Sequence, residues 1–336
     1  MLDQVLSYLL VRLPTVADGL SNLWIRNRRK ALYRGSMMTI YRLAIFLFII
    51  GLVGPVWSAQ DIDGPLNAIV KVRAVVPENA RTAAALGTER EGSGVVIDSE
   101  GLILTIGYLI VEAESIEVVL GSAAPVSAYF VAYDQETGFG LLRTVIPPKV
   151  EPVKLGRSTD IKEGDELMVA AYGGVENARR VYVLSRGEFA GYWEYLLDNA
   201  IYTAPAHPNF AGAALIGRDG RLLGIGSIST SLTMSGYGQV SGNMFVPIDL
   251  LKPIQKALMA TGRSQYPVRP WLGVYLEESY GRVIVTRVAV DGPAEKAGLQ
   301  PGDIILTVNS EPVNTLADCY RRIWALGNAG VEVPLE

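Results

Sequence analysis

One histidine, His207, and one cysteine, Cys319, stand in a chain of 336 residues. An enzyme that activates a hydroxyl nucleophile needs a base held beside it, usually an imidazole steered by a carboxylate, so His207 is the first residue to weigh. An imidazole is also a common metal ligand. His207 has no second histidine, cysteine or carboxylate at ligand spacing, so the expectation is no metal and no cofactor. A ligand or metal site around His207 stays open as an alternative. Cys319 can form neither an intramolecular disulfide nor a thiolate metal cage, and reads as a half-buried apolar residue on a helix.

The charge and its placement bound the class and location of the protein. With 30 basic and 34 acidic residues the formal charge is −4, and no basic cluster follows the N-terminal region, which argues against nucleic acid as a partner. Arg26, Arg28, Arg29, Lys30, Arg34 and Arg42 precede an apolar run over 43–57, with Ser58, Ala59 and Gln60 after it. Basic residues before an apolar stretch favour a cytoplasmic N-terminal flank. Residues 1–39 therefore read as a basic cytoplasmic extension, and 40–59 as a transmembrane anchor or signal segment. A start at Met37 or Met38 would turn the same residues into a compact export signal. Either way the remainder is placed in the periplasm, or on the extracytoplasmic face of the inner membrane.

The elements that must position any site begin near Leu66. Runs over 68–76, 94–98, 102–105, 115–120, 126–133, 141–145, 166–171, 181–189 and 221–228 favour strands by their branched and apolar content. Turn signals such as Asp98-Ser99-Glu100-Gly101 and Arg218-Asp219-Gly220 separate them. Many short strands at this spacing predict a barrel or sandwich. A helix is predicted over 247–260, with Ile248, Leu251, Ile254 and Leu258 on one face, and a linker over 261–269 leads into a second module.

Three motifs carry a resemblance. Gly92-Ser93-Gly94-Val95-Val96-Ile97-Asp98 followed by Gly101-Leu102-Ile103-Leu104-Thr105, then Thr137-Gly138-Phe139-Gly140-Leu141-Leu142, then His207-Pro208-Asn209-Phe210-Ala211-Gly212-Ala213-Ala214-Leu215, stand in the order of the trypsin-like domain of the HtrA (DegP-like) serine protease family. The resemblance implies a mainly β, chymotrypsin-like double β-barrel over 60–262. It also puts Tyr108 at the family's histidine base, Gly138 at the orienting aspartate and Ala211 at the nucleophilic serine. A phenol with a pKa near ~10 is a poor base at neutral pH, and an alanine methyl cannot attack a carbonyl. Asp134 and Glu136 sit nearby at loop positions. Asn209 and Phe210 replace the glycine and small polar residue before the nucleophile, which would redirect oxyanion donors. Tyr108, Phe139 and Phe210 read as aromatic filling of a vacated cleft.

The second module, over 263–336, opens on Arg269-Pro270-Trp271-Leu272-Gly273-Val274 and continues through Asp291-Gly292-Pro293-Ala294-Glu295-Lys296-Ala297-Gly298-Leu299-Gln300-Pro301-Gly302-Asp303-Ile304-Ile305. This closely resembles the circularly permuted, α+β PDZ domain of HtrA proteins. Such domains add an extended peptide to a sheet edge and capture its terminal carboxylate with backbone amides. The resemblance implies a peptide site at Trp271, Leu272, Gly273 and Val274, with Tyr320 and Ile323, on a helix over 315–326, as pocket candidates.

The expectation from sequence is thus a pseudoprotease and not an enzyme: no catalytic residues, polypeptide C termini or unfolded segments bound through the PDZ domain, and scaffolding or regulation of envelope proteins. The resemblance further implies a homo- or hetero-trimer with HtrA-like proteins, and contact with the membrane through the N-terminal segment. A serine endopeptidase working with atypical residues or a partner-supplied base is the alternative in the enzyme class.

Overall fold

A computed structural model describes residues 64–234 and 238–336. The basic extension (1–39) and the anchor or signal segment (40–59) lie outside the described residues. Among the described residues no helix is long and apolar enough to cross a membrane.

The first module is two closed six-stranded barrels, which makes the chain mainly β. In the first, β1 (Ile69–Val75), β2 (Glu89–Val96), β3 (Leu102–Ile106), β4 (Ser115–Leu120), β5 (Val126–Tyr133) and β6 (Phe139–Thr144) close in the order β1-β2-β3-β6-β5-β4. Barrel closure leaves no open sheet edge, and the alternating burial of β1 follows from it, with one face in the lumen and one outside. β3 is buried at every residue, because its outer face is also covered.

In the second barrel, β7 (Glu166–Ala170), β8 (Ala178–Gly191), β9 (Tyr195–Ala204), β10 (Ala214–Ile216), β11 (Leu222–Met234) and β12 (Gly238–Pro247) close in the order β10-β11-β12-β9-β8-β7. β8 and β9 pair from Tyr182 opposite Ala204 out to Gly191 opposite Tyr195, with two bulges on the way. The long bulged hairpin carries its tip, Tyr192-Trp193-Glu194, into the second module. One apolar cluster, including Leu104, Ile106, Phe139, Leu141, Ala214 and Ile225, joins the two barrels across their interface.

The predicted helix over 247–260 is broken. After the four-residue α1 (Ala83–Leu86), a 3-10 turn at Ile248–Leu250 is followed by α2 only at Gln255–Thr261. Pro253 lies between the two pieces; its ring clashes with the preceding turn and it has no N–H to donate.

The second module is a small α+β unit. Its three-stranded sheet has the order β13 (Val274–Ser279), β14 (Arg282–Val288), β15 (Ile304–Ile305), so β13 is an edge strand. The short α3 (Pro293–Lys296) opens on proline, which lacks the N–H that a first helical turn leaves without a partner. After the β16 (Thr307–Val308) and β17 (Glu311–Pro312) ribbon, α4 (Leu316–Ala325) is N-capped by Thr315, whose hydroxyl accepts from the Asp318 amide at 3.1 Å. Leu272, Val274, Leu276, Val285, Tyr320 and Ile323 share one core with Leu196 from β9.

Candidate functional site

Two places could act on a polypeptide: the groove between the barrels and the loop that leads into β13. In the groove, Tyr108 sits on the 3-10 turn Gly107–Leu109 that follows β3. Its hydroxyl donates to the Ser227 carbonyl at 2.7 Å, and its own carbonyl accepts from Arg90 Nη1 at 2.8 Å. Burial pushes the phenol well above its ordinary value, so it keeps its proton. Gly138 has φ +80°, and a Cβ there would stand 3.0 Å from the Tyr195 hydroxyl, which donates to the Thr137 carbonyl at 2.7 Å. The space a carboxylate would take is held by that tyrosine.

Asp134, next door, is buried and spends Oδ2 on its own loop, accepting from the Thr137 amide at 2.9 Å and the Thr137 hydroxyl at 2.7 Å. Glu136 pairs with Arg269 at 3.0 Å, tying this loop to the start of the second module. Burial raises its carboxyl, and the Arg269 charge only partly offsets that.

The Ala211 loop is fixed by its backbone. The Ala211 carbonyl accepts from the Ser93 amide at 2.8 Å, the Gly212 amide donates to the Gly226 carbonyl at 2.9 Å, and the Gly226 amide returns a bond to Ala213 at 2.8 Å. Gly212 has φ +70°, and a Cβ there would meet the Ser93 carbonyl oxygen at 1.9 Å, so only glycine fits. Phe139 is fully buried in the inter-barrel core, whereas Phe210 is half-buried.

His207 is buried and acts as a bracket for the same loop. Its Nδ1 accepts from the Asn209 amide at 3.1 Å, and its own amide donates to Asn243 Oδ1 at 2.6 Å. Burial and then the Arg179 charge hold the imidazole below its ordinary value, against a bond to the Asn177 backbone. Among the described residues no group of three or more His, Cys, Asp or Glu gathers to hold a metal ion. Cys319 is buried, and that burial pushes its thiol up to about 12.

The loop into β13 has a different chemistry, because the groups it presents are backbone amides. Those of Leu272, Gly273 and Val274 converge on the Glu194 carboxylate at 2.9, 2.7 and 3.0 Å. Gly273, at φ +77°, makes the turn that aims them. Trp271 is 39% exposed at the mouth of the loop, with the Arg81 guanidinium 5.9 Å from its ring. Tyr320 and Ile323 are fully buried in the PDZ core. Tyr320 stacks on Trp324, donates its hydroxyl to the Gly191 carbonyl at 2.8 Å, and accepts from the Glu194 amide at 3.3 Å. Nothing in the motifs pointed to Glu194. The one available signal was a hairpin tip with neither glycine nor asparagine at its turn.

The comparisons agree with this two-part plan. Residues 92–225 match the family described as "Trypsin-like peptidase domain", and 270–336 match "PDZ domain". The chain is 30% identical over 265 residues to a "Probable periplasmic serine endoprotease DegP-like" of Pseudomonas putida, covering 73% of this chain and 52% of that protein. To the protein of the same name from Pseudomonas fluorescens it is 31% identical over 261 residues, again with 73% and 52% covered. The chain thus spans about half the length of these curated relatives. The solved structure "HtrA-type protease AlgW with tripeptide" shares the fold at TM-score 0.50 and 22% identity, covering 80% of this chain and 88% of that one.

These findings correct the expectation that the chain is not an enzyme. The relatives it matches are named serine endoproteases, which overturns a reading of the chain as no enzyme on motif positions alone. The expectation rested on the side chains at Tyr108, Gly138 and Ala211. Three positions decide one route to a nucleophile, and they do not decide which hydroxyl or base the rest of the scaffold or an assembly supplies. By its trypsin-like barrels, its PDZ domain and its DegP-like relatives, the chain belongs to the HtrA family.

Proposed function

We propose that this chain is a periplasmic HtrA-type protein that recognises polypeptide C termini and unfolded segments through its PDZ domain and regulates envelope proteins in assembly with HtrA-like partners. The observation that carries this reading is the convergence of three consecutive amides, Leu272 to Val274, on a single carboxylate. Charge-assisted bonds of this kind are about twice as strong as neutral ones, and a terminal carboxylate offers the same two oxygens. β13 lies beside the loop as an edge strand, which supports addition of an extended chain by main-chain pairing. The relatives' names support the periplasmic setting and the link to proteolysis.

Calorimetric titration of the full chain with a peptide bearing a free C terminus, and with its C-terminally amidated twin, tests the recognition. Binding of the first and not the second supports it; equal binding of both would refute it. The second reading, a serine endopeptidase, is favoured by the relatives' names. Its residues must lie outside Tyr108, Gly138 and Ala211, and labelling by a serine-reactive fluorophosphonate, lost on changing one serine, would identify them.

A further inference from the structure

The amides of the PDZ loop are already occupied, and the occupant comes from the chain itself. Glu194 lies 78 to 80 residues before the amides it accepts from, at the tip of the β8–β9 hairpin, and only 5% of its surface is exposed. The tip behaves as an incoming peptide would. Besides the carboxylate, the Tyr192 carbonyl accepts from the Leu276 amide of edge strand β13 at 2.8 Å. Leu196, two residues past the carboxylate, enters the PDZ core beside Val274, Tyr320 and Ile323.

The backbone at this point is built around the side chain. The tip is a three-residue connection between paired Gly191 and Tyr195, and such loops place their last residue in the left-handed region, where glycine is at ease. Glu194 takes that position at φ +57°. A branched-off Cβ is disfavoured there, so the turn itself gives no reason for glutamate. Its carboxylate supplies one, because without it three buried amides would lose their acceptor.

We infer that Glu194 is an intramolecular ligand of the PDZ carboxylate loop, so that a polypeptide C terminus binds only by displacing the hairpin tip. This rests on the reading of the PDZ domain as a binder of C termini. Each bond that Glu194 makes to the loop can be remade by a terminal carboxylate, so the exchange leaves no amide without an acceptor. A tethered ligand competes at an effective concentration in the millimolar range, and lowers the apparent affinity of a free peptide by the fraction of loops it leaves open.

Fluorescence anisotropy of a labelled decapeptide ending in valine, as free acid and as amide, titrated with the full chain, tests this. E194G removes the carboxylate and puts at φ +57° the residue most at ease there, so the hairpin keeps its shape. E194Q keeps the size and loses the charge. The free-acid peptide is expected to bind E194G at least about tenfold more tightly than the unmodified chain, with E194Q between them and the amidated peptide unaffected. Equal affinity for the unmodified chain and E194G overturns the inference and leaves C-terminus recognition standing. Failure of both to bind removes the recognition reading and the inference with it.

Discussion

The inter-barrel groove and the PDZ loop place their chemistry in different parts of the residue. In the groove what sets Tyr108, Gly138 and Ala211 apart is their side chains, a phenol, no Cβ and a methyl, while the backbone around Ala211 is locked by the Ser93–Ala211 bond to β2 and the Gly212–Gly226 bond to β11. In the PDZ loop the groups that meet the Glu194 carboxylate are main-chain amides, held by the turn at Gly273. Side-chain function can change with one substitution; main-chain function persists as long as the fold does.

The largest effect that would separate the two belongs to Gly212→Ala. A methyl 1.9 Å from the Ser93 carbonyl forces the barrels apart, and chemical denaturation should show a loss of about 3 to 5 kcal/mol or no folded protein. Ala211→Ser beside it changes only a side chain, and the same measurement should move by no more than about 0.5 kcal/mol. A comparable loss from both would erase the distinction between backbone and side chain in the groove.

Next comes Gly273→Val. Its Cβ would lie 3.2 Å from both the Ala289 Cβ and the Trp271 ring, at a φ of +77° that branched residues avoid. Affinity for a free C terminus should fall about 10- to 100-fold by calorimetry, roughly 1 to 3 kcal/mol. Unchanged affinity would show that the amides of this loop are not the capture site.

Tyr320→Phe and Tyr108→Phe form a smaller matched pair. Each removes one hydroxyl bonded to a carbonyl, Gly191 in the first case and Ser227 in the second, and each should cost about 1 kcal/mol in thermal unfolding. Only Tyr320→Phe loosens the hairpin tip, so it alone should raise peptide affinity, about threefold.

The smallest effect is with pH. Burial raises the Glu194 carboxyl above its ordinary value, against the pull of the three amides. The docked tip therefore binds a proton more readily than a solvated one. Docking is fully favoured below the ordinary carboxyl value near ~4.3 and weakens as pH rises through the raised one. The facing titratable groups, the Cys319 thiol and the Tyr320 hydroxyl, are both pushed up by burial and keep their protons throughout. Peptide affinity should thus rise with pH in the unmodified chain as the raised Glu194 carboxyl ionises, and stay flat in E194Q. A reversed slope would mean the amides hold the anion more firmly than burial disfavours it.

Much of this molecule could be read before its coordinates. The glycine-punctuated runs of the first barrel, and the helix over 315–326 found as α4, follow from periodicity and caps. β9, β10 and β12 escaped notice for separate reasons. Asp198 and Asn199 interrupt β9, β10 is only three residues long, and β12 carries glycine and polar residues along its exposed half. Of the candidate site, the amide loop was legible because Gly273 and its neighbours are contiguous. Its occupant was not, because Glu194 is brought there by tertiary folding from almost 80 residues away. The prediction of no enzyme failed on another ground: it extended three motif positions to the whole scaffold.

Amide hydrogen exchange across Leu272, Gly273 and Val274 tests the central claim most directly, because it reads the three donors themselves. If a carboxylate always fills the loop, these amides exchange slowly in the unmodified chain, stay slow when a free C terminus replaces Glu194, and exchange fast only in E194G without peptide. Fast exchange in the unmodified chain, or no change in E194G, would contradict the account.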